Sequence, residues 1–158
     1  MDKEEVRIIN EEIQALQRLD HPNLVKLLCA WMNESEEVVL IFNMVSGGSL
    51  KSYLKKTTKP YLVVIKRWCR GILEALDYLH SQLPLPIIHK RLQLESFFIR
   101  ASSGECLLGD LGISILKTNG SSSIPMSPIY MAPEVFDELQ SPKMDIYSLG
   151  ISIIEMCT

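Results

Sequence analysis

IIHKRLQLESFFI, residues 87–99, is the stretch that decides the fold. It begins apolar, passes through His89, Lys90 and Arg91, and ends on Phe97, Phe98 and Ile99. Its pattern is extended and strand-like, so neighbouring side chains point in opposite directions. A second strand-like piece, residues 105–113, lies beyond the turn Ser102-Ser103-Gly104.

Upstream, Val6, Ile9, Ile13, Leu16 and Leu19 recur at three- and four-residue steps, which predicts an amphipathic helix over residues 5–19. Asp20-His21-Pro22-Asn23 punctuates it. Residues 24–32 and 38–45 read as two strands joined by an acidic turn, a hairpin. Ser49 caps a short helix over residues 50–55. A longer helix is expected over residues 62–81, with Ile65, Trp68, Cys69, Ile72, Leu73, Leu76 and Leu79 on its apolar stripe, closed by Pro84 and Pro86. Downstream, the Gly- and Ser-rich residues 118–123 lack packing side chains, so a mobile stretch is expected there. Residues 145–156 are apolar almost all round, the mark of a buried or interface helix.

Composition bounds the alternatives. A chain of 158 residues, 47% hydrophobic and 22% charged, buries one ordinary core. A net charge of -3 gives no overall basic field, which argues against nucleic acid or an anionic membrane as partner. The charged opening MDKEEVR is unlike a secretory signal, and the apolar run 38–45 is too short to span a bilayer. A soluble cytoplasmic protein is expected. Cys29, Cys69, Cys106 and Cys157 have no paired spacing and read as buried thiols in a reducing compartment.

Three motifs follow one another: the opening stretch, GDLG at 109–112 and MAPE at 131–134, with DIYSLG at 145–150 behind them. In this order and spacing they resemble the protein kinase family across nearly the whole chain. SLKSYLKK at 49–56 and KRWCRGILEALDYLH at 66–80 are most similar to the with-no-lysine (WNK) kinases and the related nuclear-receptor-binding-protein pseudokinases. The resemblance implies an α+β, partial protein-kinase-like fold. Residues 1–45 would form part of the small lobe, with its regulatory helix and hairpin, and residues 46–158 part of the large lobe, ending within its central helix.

Phosphoryl transfer needs a positioned nucleotide, metal ions that neutralise developing charge, and a carboxylate that orients the acceptor hydroxyl. The family motif H-R-D-L-K-x-x-N reads here as His89, Lys90, Arg91, Leu92, Gln93, Leu94, Glu95 and Ser96. Arg91 stands where the resemblance requires the catalytic aspartate, and a guanidinium that stays protonated cannot accept a proton. Gln93 replaces the charge-balancing lysine, and Ser96 the metal-ligating asparagine. Glu95 could substitute as ligand or base, against its pointing away from Ser96. Asp110 matches the metal-binding aspartate, with Leu111 beside it; hydrogen bonding within its own turn is the competing reading. By the same resemblance Phe42, Met44 and Phe98 would line a residual nucleotide pocket with Asp110, or the two Phe rings simply fill a core. Glu12, His89, Gly112, Glu134 and Asp145 match structural positions of the family, and His89 is given no catalysis.

No Gly-x-Gly occurs in the sequence, so the phosphate-covering loop and the lysine that would pair with Glu12 are expected to be missing. The expected function is that of a pseudokinase, a non-catalytic binding or regulatory module in signalling, with a kinase or scaffold protein as partner. It would need no cofactor. The alternatives are a serine/threonine kinase with residual use of ATP and Mg2+ when completed by missing segments, and a truncated product without independent function. Unpaired lobe edges raise self-association and low stability as further expectations.

Overall fold

The computed structural model describes residues 3–33, 37–57, 59–111, 127–137 and 141–158. Helix α1 spans Lys3–Gln17 and turns Ile9, Ile13 and Leu16 inward, with Leu19 buried just past its end. Strands β1, Leu27–Met32, and β2, Val38–Phe42, form an antiparallel hairpin with a register shift between Leu27 and Cys29. The expected first strand began earlier, at Leu24. The turn at His21-Pro22-Asn23 instead carries Leu24 away from the hairpin and pairs it with Leu108 in a parallel bridge.

Helix α2, Leu50–Lys56, begins where the Ser49 side chain accepts a hydrogen bond from Ser52 N. That bond satisfies a donor the first turn cannot pair, about 1 kcal/mol of stabilisation. Helix α3, Leu62–His80, is the centre of the core, burying Ile65, Trp68, Ile72, Ala75, Leu76 and Leu79. Each such large apolar side chain contributes about 1.5–3 kcal/mol on leaving water. Leu73, expected on the stripe, is exposed. It lies one residue, and so about 100° of rotation, beyond Ile72, and small Ala75 faces inward instead.

Strands β3, Phe97–Arg100, and β4, Glu105–Leu108, pair antiparallel from Phe97↔Leu108 to Arg100↔Glu105. Their turn is closed by Gly104 at φ +66, a left-handed conformation suited to glycine, and Trp68 Nε1 donates to its carbonyl at 2.9 Å. Both outer edges of this hairpin are met: Gly47 N donates to Ile99 O on one side, and Val25 N donates to Leu108 O on the other. Helix α4, Lys143–Cys157, buries Met144, Asp145, Ser148, Leu149, Ser152 and Met156, while Ile146, Tyr147 and Ile154 face out. The result is an α+β arrangement in which α3 packs beneath β3–β4 and against α4.

No helix among the described residues is long and apolar enough to cross a membrane. All four cysteines are free, but only Cys106 is buried, since Cys29 sits on an exposed face of β1 and Cys157 at the exposed end of α4. The Gly- and Ser-rich stretch 118–123 lies outside the described residues.

Candidate functional site

Residues 87–96 have little regular structure, and α4 fixes their path. Asp145, in the first turn of α4, is 1% exposed. Its Oδ2 accepts from His89 N at 2.8 Å and its Oδ1 from Lys90 N at 2.9 Å. His80, at the end of α3, places Nε2 2.8 Å from Oδ2. A buried carboxylate is stable only when its lone pairs are satisfied, and these three contacts do so. They also hold Lys90 at φ 64, a conformation costing a non-glycine residue about 1–2 kcal/mol.

His89 is buried, with Nδ1 accepting from Arg91 N at 3.3 Å. Its Nε2 must then carry the proton, which it donates to Gly109 O at 2.7 Å. Burial holds this imidazole below its ordinary pKa of 6.5, keeping it neutral. The ring is therefore a strut between the loop and the end of β4. Gly109 completes the junction: its N–H donates to Ser96 O at 2.8 Å, and a Cβ there would lie 2.6 Å from the Phe98 ring. With the ring where it stands, a side chain at position 109 would crowd it.

Ser96 decides whether the loop can hold a metal. It is 0% exposed, and its Oγ donates to Arg91 O at 2.6 Å. The hydroxyl is thus turned into the loop and spent on its own backbone. Glu95 is also engaged, with Oε1 2.7 Å from Lys51 Nζ of α2. Glu155 of α4 lies 3.8 Å from the same ammonium and accepts a hydrogen bond from the Tyr130 hydroxyl. Glu95 holds the Lys51 ammonium above its ordinary pKa. Asp110, at φ 58, is then the one carboxylate of the motif without a partner among the described residues. Burial raises its pKa, Glu95 adds to that, and His89 and Arg91 oppose it. Among the described residues no cluster of His, Cys, Asp or Glu is arranged to hold a metal. The donor set does not fit a pair of magnesium ions, which would need hard oxygen ligands converging on one point.

Arg91 is 8% exposed, yet its guanidinium makes no hydrogen bond or ion pair with any described residue, and its Nε is fully buried. Gln93, two positions on, is buried, and its amide has no hydrogen-bond partner among the described residues. Phe42 is half-buried, and the cavity behind it, lined by Leu16, Leu27 and Leu111 among others, holds only about 10 Å³. Its ring fills core space. Phe98 packs over Gly109, and Met44 is 90% exposed. A larger cavity of about 300 Å³ lies between the 20–26 turn, residues 43–46 and Arg100. Met44 borders it; Phe42, Phe98 and Asp110 do not.

Glu134 lies in the short 3-10 turn Pro133–Asp137 with no ion pair among the described residues. Gly112 and the side chain of Glu12 lie outside the description. The structure thus brings His89, Arg91, Gln93, Ser96, Asp110 and Asp145 to one junction and leaves Met44 and Glu134 away from it. Lys51, His80, Tyr130 and Glu155 join the junction without a sequence signal. Their contacts span 25 to 104 positions, and no local pattern encodes them.

A family model described as the protein kinase domain matches residues 1–158. The chain is 37% identical over 158 residues to the serine/threonine-protein kinase pkpA of Phycomyces blakesleeanus, covering 99% of this chain and 25% of that protein. It is 38% identical to serine/threonine-protein kinase WNK8 of Arabidopsis thaliana, over 93% of this chain and 26% of the relative. It is 34% identical to serine/threonine-protein kinase WNK of Caenorhabditis elegans, over 100% of this chain and 9% of the relative. The chain spans about a quarter or less of the length of these relatives. A loop tied to a helix by one buried aspartate, with these motifs in order and a match along the whole length, gives one answer: the chain belongs to the protein kinase domain family and is most similar to its WNK branch.

Proposed function

We propose that this chain is a pseudokinase, a non-catalytic module that keeps the kinase loop as a scaffold and acts by binding a protein partner. One observation carries the reading: the Ser96 hydroxyl is closed onto Arg91 O, in a loop whose base position is itself an arginine. The base position itself carries no group that could take a proton from an acceptor hydroxyl, and the Ser96 hydroxyl at the second metal-ligand position faces inward. A single reversion would not restore both. ATP and Mg2+ are then not required, and Asp110 with Phe42, Met44 and Phe98 would be at most a remnant of a nucleotide site. We assign residues 1–45 to the small lobe and 46–158 to the large lobe. The partner would be a kinase or signalling scaffold in the cytoplasm, engaged without nucleic acid or membrane.

The test is phosphate transfer. Purified protein with labelled ATP and Mg2+ is expected to label neither itself nor a generic substrate. Labelling that disappears in Asp110→Ala would refute the reading. One feature favours a second reading, residual nucleotide use in a longer protein: the Asp110 carboxylate has no hydrogen bond or ion pair among the described residues and stands at a left-handed backbone position. Metal-dependent ATP binding would support that alternative, and absence of binding at millimolar ATP would remove it.

A further inference from the structure

A mostly buried guanidinium with no partner is costly. Taking an unpaired charge out of water costs several kcal/mol, and buried arginines are ordinarily paired or fully hydrogen-bonded. Arg91 is 8% exposed, and its Nε is buried without an acceptor. Its terminal nitrogens have no partner among the described residues but are not sealed from solvent. Gln93, two positions on, is a buried residue whose amide has no hydrogen-bond partner among the described residues. The Arg91 Nε is therefore a buried donor with no acceptor among the described residues, while the Asp110 carboxylate acts on Arg91 without a hydrogen bond.

The position specifies what is absent. In this family the residue at position 91 faces the acceptor hydroxyl of the protein substrate. Exchanging a carboxylate for a guanidinium there changes the formal charge by two units. A site so altered no longer suits a hydroxyl about to lose its proton. It suits the same side chain bearing a negative group. A planar guanidinium fork matches phosphate oxygens, and a phosphate monoester supplies three acceptors and close to two negative charges at neutral pH.

We propose that the loop 91–96 is a receptor for a phosphorylated serine or threonine side chain on a protein partner, with the Arg91 guanidinium binding the phosphate oxygens and the Gln93 amide supplying a further donor. The proposal rests on the non-catalytic reading above and names the class of partner. The nearby anions do not forbid it. Lys51 neutralises Glu95, and burial makes the Asp110 carboxyl easier to protonate. Ser96 helps indirectly: its bond to Arg91 O fixes the backbone from which the guanidinium projects.

The probe is O-phospho-L-serine, titrated into the purified chain and followed by amide chemical shifts, with L-serine and ATP as parallel arms. Saturable binding of phosphoserine, no binding of L-serine, and shifts centred on residues 90–96 are expected. Arg91→Ala should weaken binding about tenfold or more, as loss of a charge-assisted pair requires. Arg91→Lys, which keeps the charge and loses the fork, should also weaken it and serves if the alanine variant does not fold. Arg100→Ala, at an exposed pair with Glu105, should leave binding unchanged. Equal binding by wild type and both Arg91 variants, shifts centred on Lys26 or Arg100, or no binding would overturn the proposal. Tighter binding of ATP that is lost in the same variants would also overturn it and give the site to a nucleotide. The transfer assay is a separate readout. Absence of phosphoserine binding without phosphate transfer removes this proposal alone, whereas transfer removes the non-catalytic reading on which it rests.

Discussion

The two halves of the loop 87–96 have opposite polar economies. In the first half every key group is matched: the His89 and Lys90 amides meet Asp145, and the His89 ring meets Arg91 N and Gly109 O. In the second half the Arg91 guanidinium, the Gln93 amide and one Glu95 oxygen have no partner among the described residues. The first half fixes where the backbone runs and the second half faces outward chemistry. The path of such a loop can therefore be held independently of the groups it presents, because different residues bear the two tasks.

The largest effect should come from breaking the matched half. Asp145→Ala removes the acceptor of three hydrogen bonds from a side chain that is 1% exposed, leaving the buried His89 amide, the partly buried Lys90 amide and His80 unsatisfied. A loss of about 3–5 kcal/mol is expected, read by chemical denaturation. Asp145→Asn keeps one acceptor and should lose less. If the alanine variant is as stable as wild type, α4 does not hold the loop.

Gly109→Ala probes the junction between the halves. Its new Cβ would lie 2.6 Å from the Phe98 ring and 3.1 Å from Val25 Cγ2, while the Gly109 N–H and carbonyl both serve the loop. Overpacking of this kind costs about 1–3 kcal/mol. The ring can yield by turning, so the lower end is expected in the denaturation midpoint, and a stabilised variant would show that the junction is loose.

The unmatched half should respond with the opposite sign. Arg91→Leu removes a buried charge that nothing described pairs, so the variant is expected to equal wild type or to gain about 1 kcal/mol, again by denaturation. A loss of several kcal/mol would mean that Arg91 has a structural partner, and the contrast between the halves would fall with it.

What could be read from the sequence followed the range of the contacts. The Ser49 cap, the β1–β2 hairpin and the α3 stripe depend on residues within a turn or two of each other and stand close to where the periodicity placed them, whereas the strand-like reading of residues 87–99 narrowed to Phe97–Arg100 and the next strand is Glu105–Leu108. Leu73 and Ala75 were exchanged because a broad apolar stripe does not say which edge meets the core. Leu24 left its strand for a bridge to Leu108, a choice made by a segment more than eighty positions away. The arginine at position 91 was legible in one letter. The closing of Ser96 onto Arg91 O and the capture of Glu95 by Lys51 were not, since a hydroxyl or carboxylate reads the same in sequence whether free or engaged.

The smallest effect concerns the protonation of His89. Its imidazole is buried and has its pKa depressed chiefly by desolvation, with Asp145 and Gly109 opposing that shift. A base whose folded pKa lies below its unfolded value binds protons more weakly when folded, so acid favours unfolding. The stability associated with His89 is complete above the unfolded value of about 6.5 and declines as the pH falls from there toward the lower folded value. Asp110 works against this at the acid end, because its raised pKa lets the folded state take up a proton first. The expected curve of midpoint against pH therefore drops below pH 6.5, as measured by thermal unfolding at constant ionic strength. His89→Gln, which still offers a side-chain donor to Gly109 O, should start from a lower plateau and show a shallower drop. An unchanged slope in that variant would assign the acid sensitivity elsewhere and leave His89 a strut without a titration.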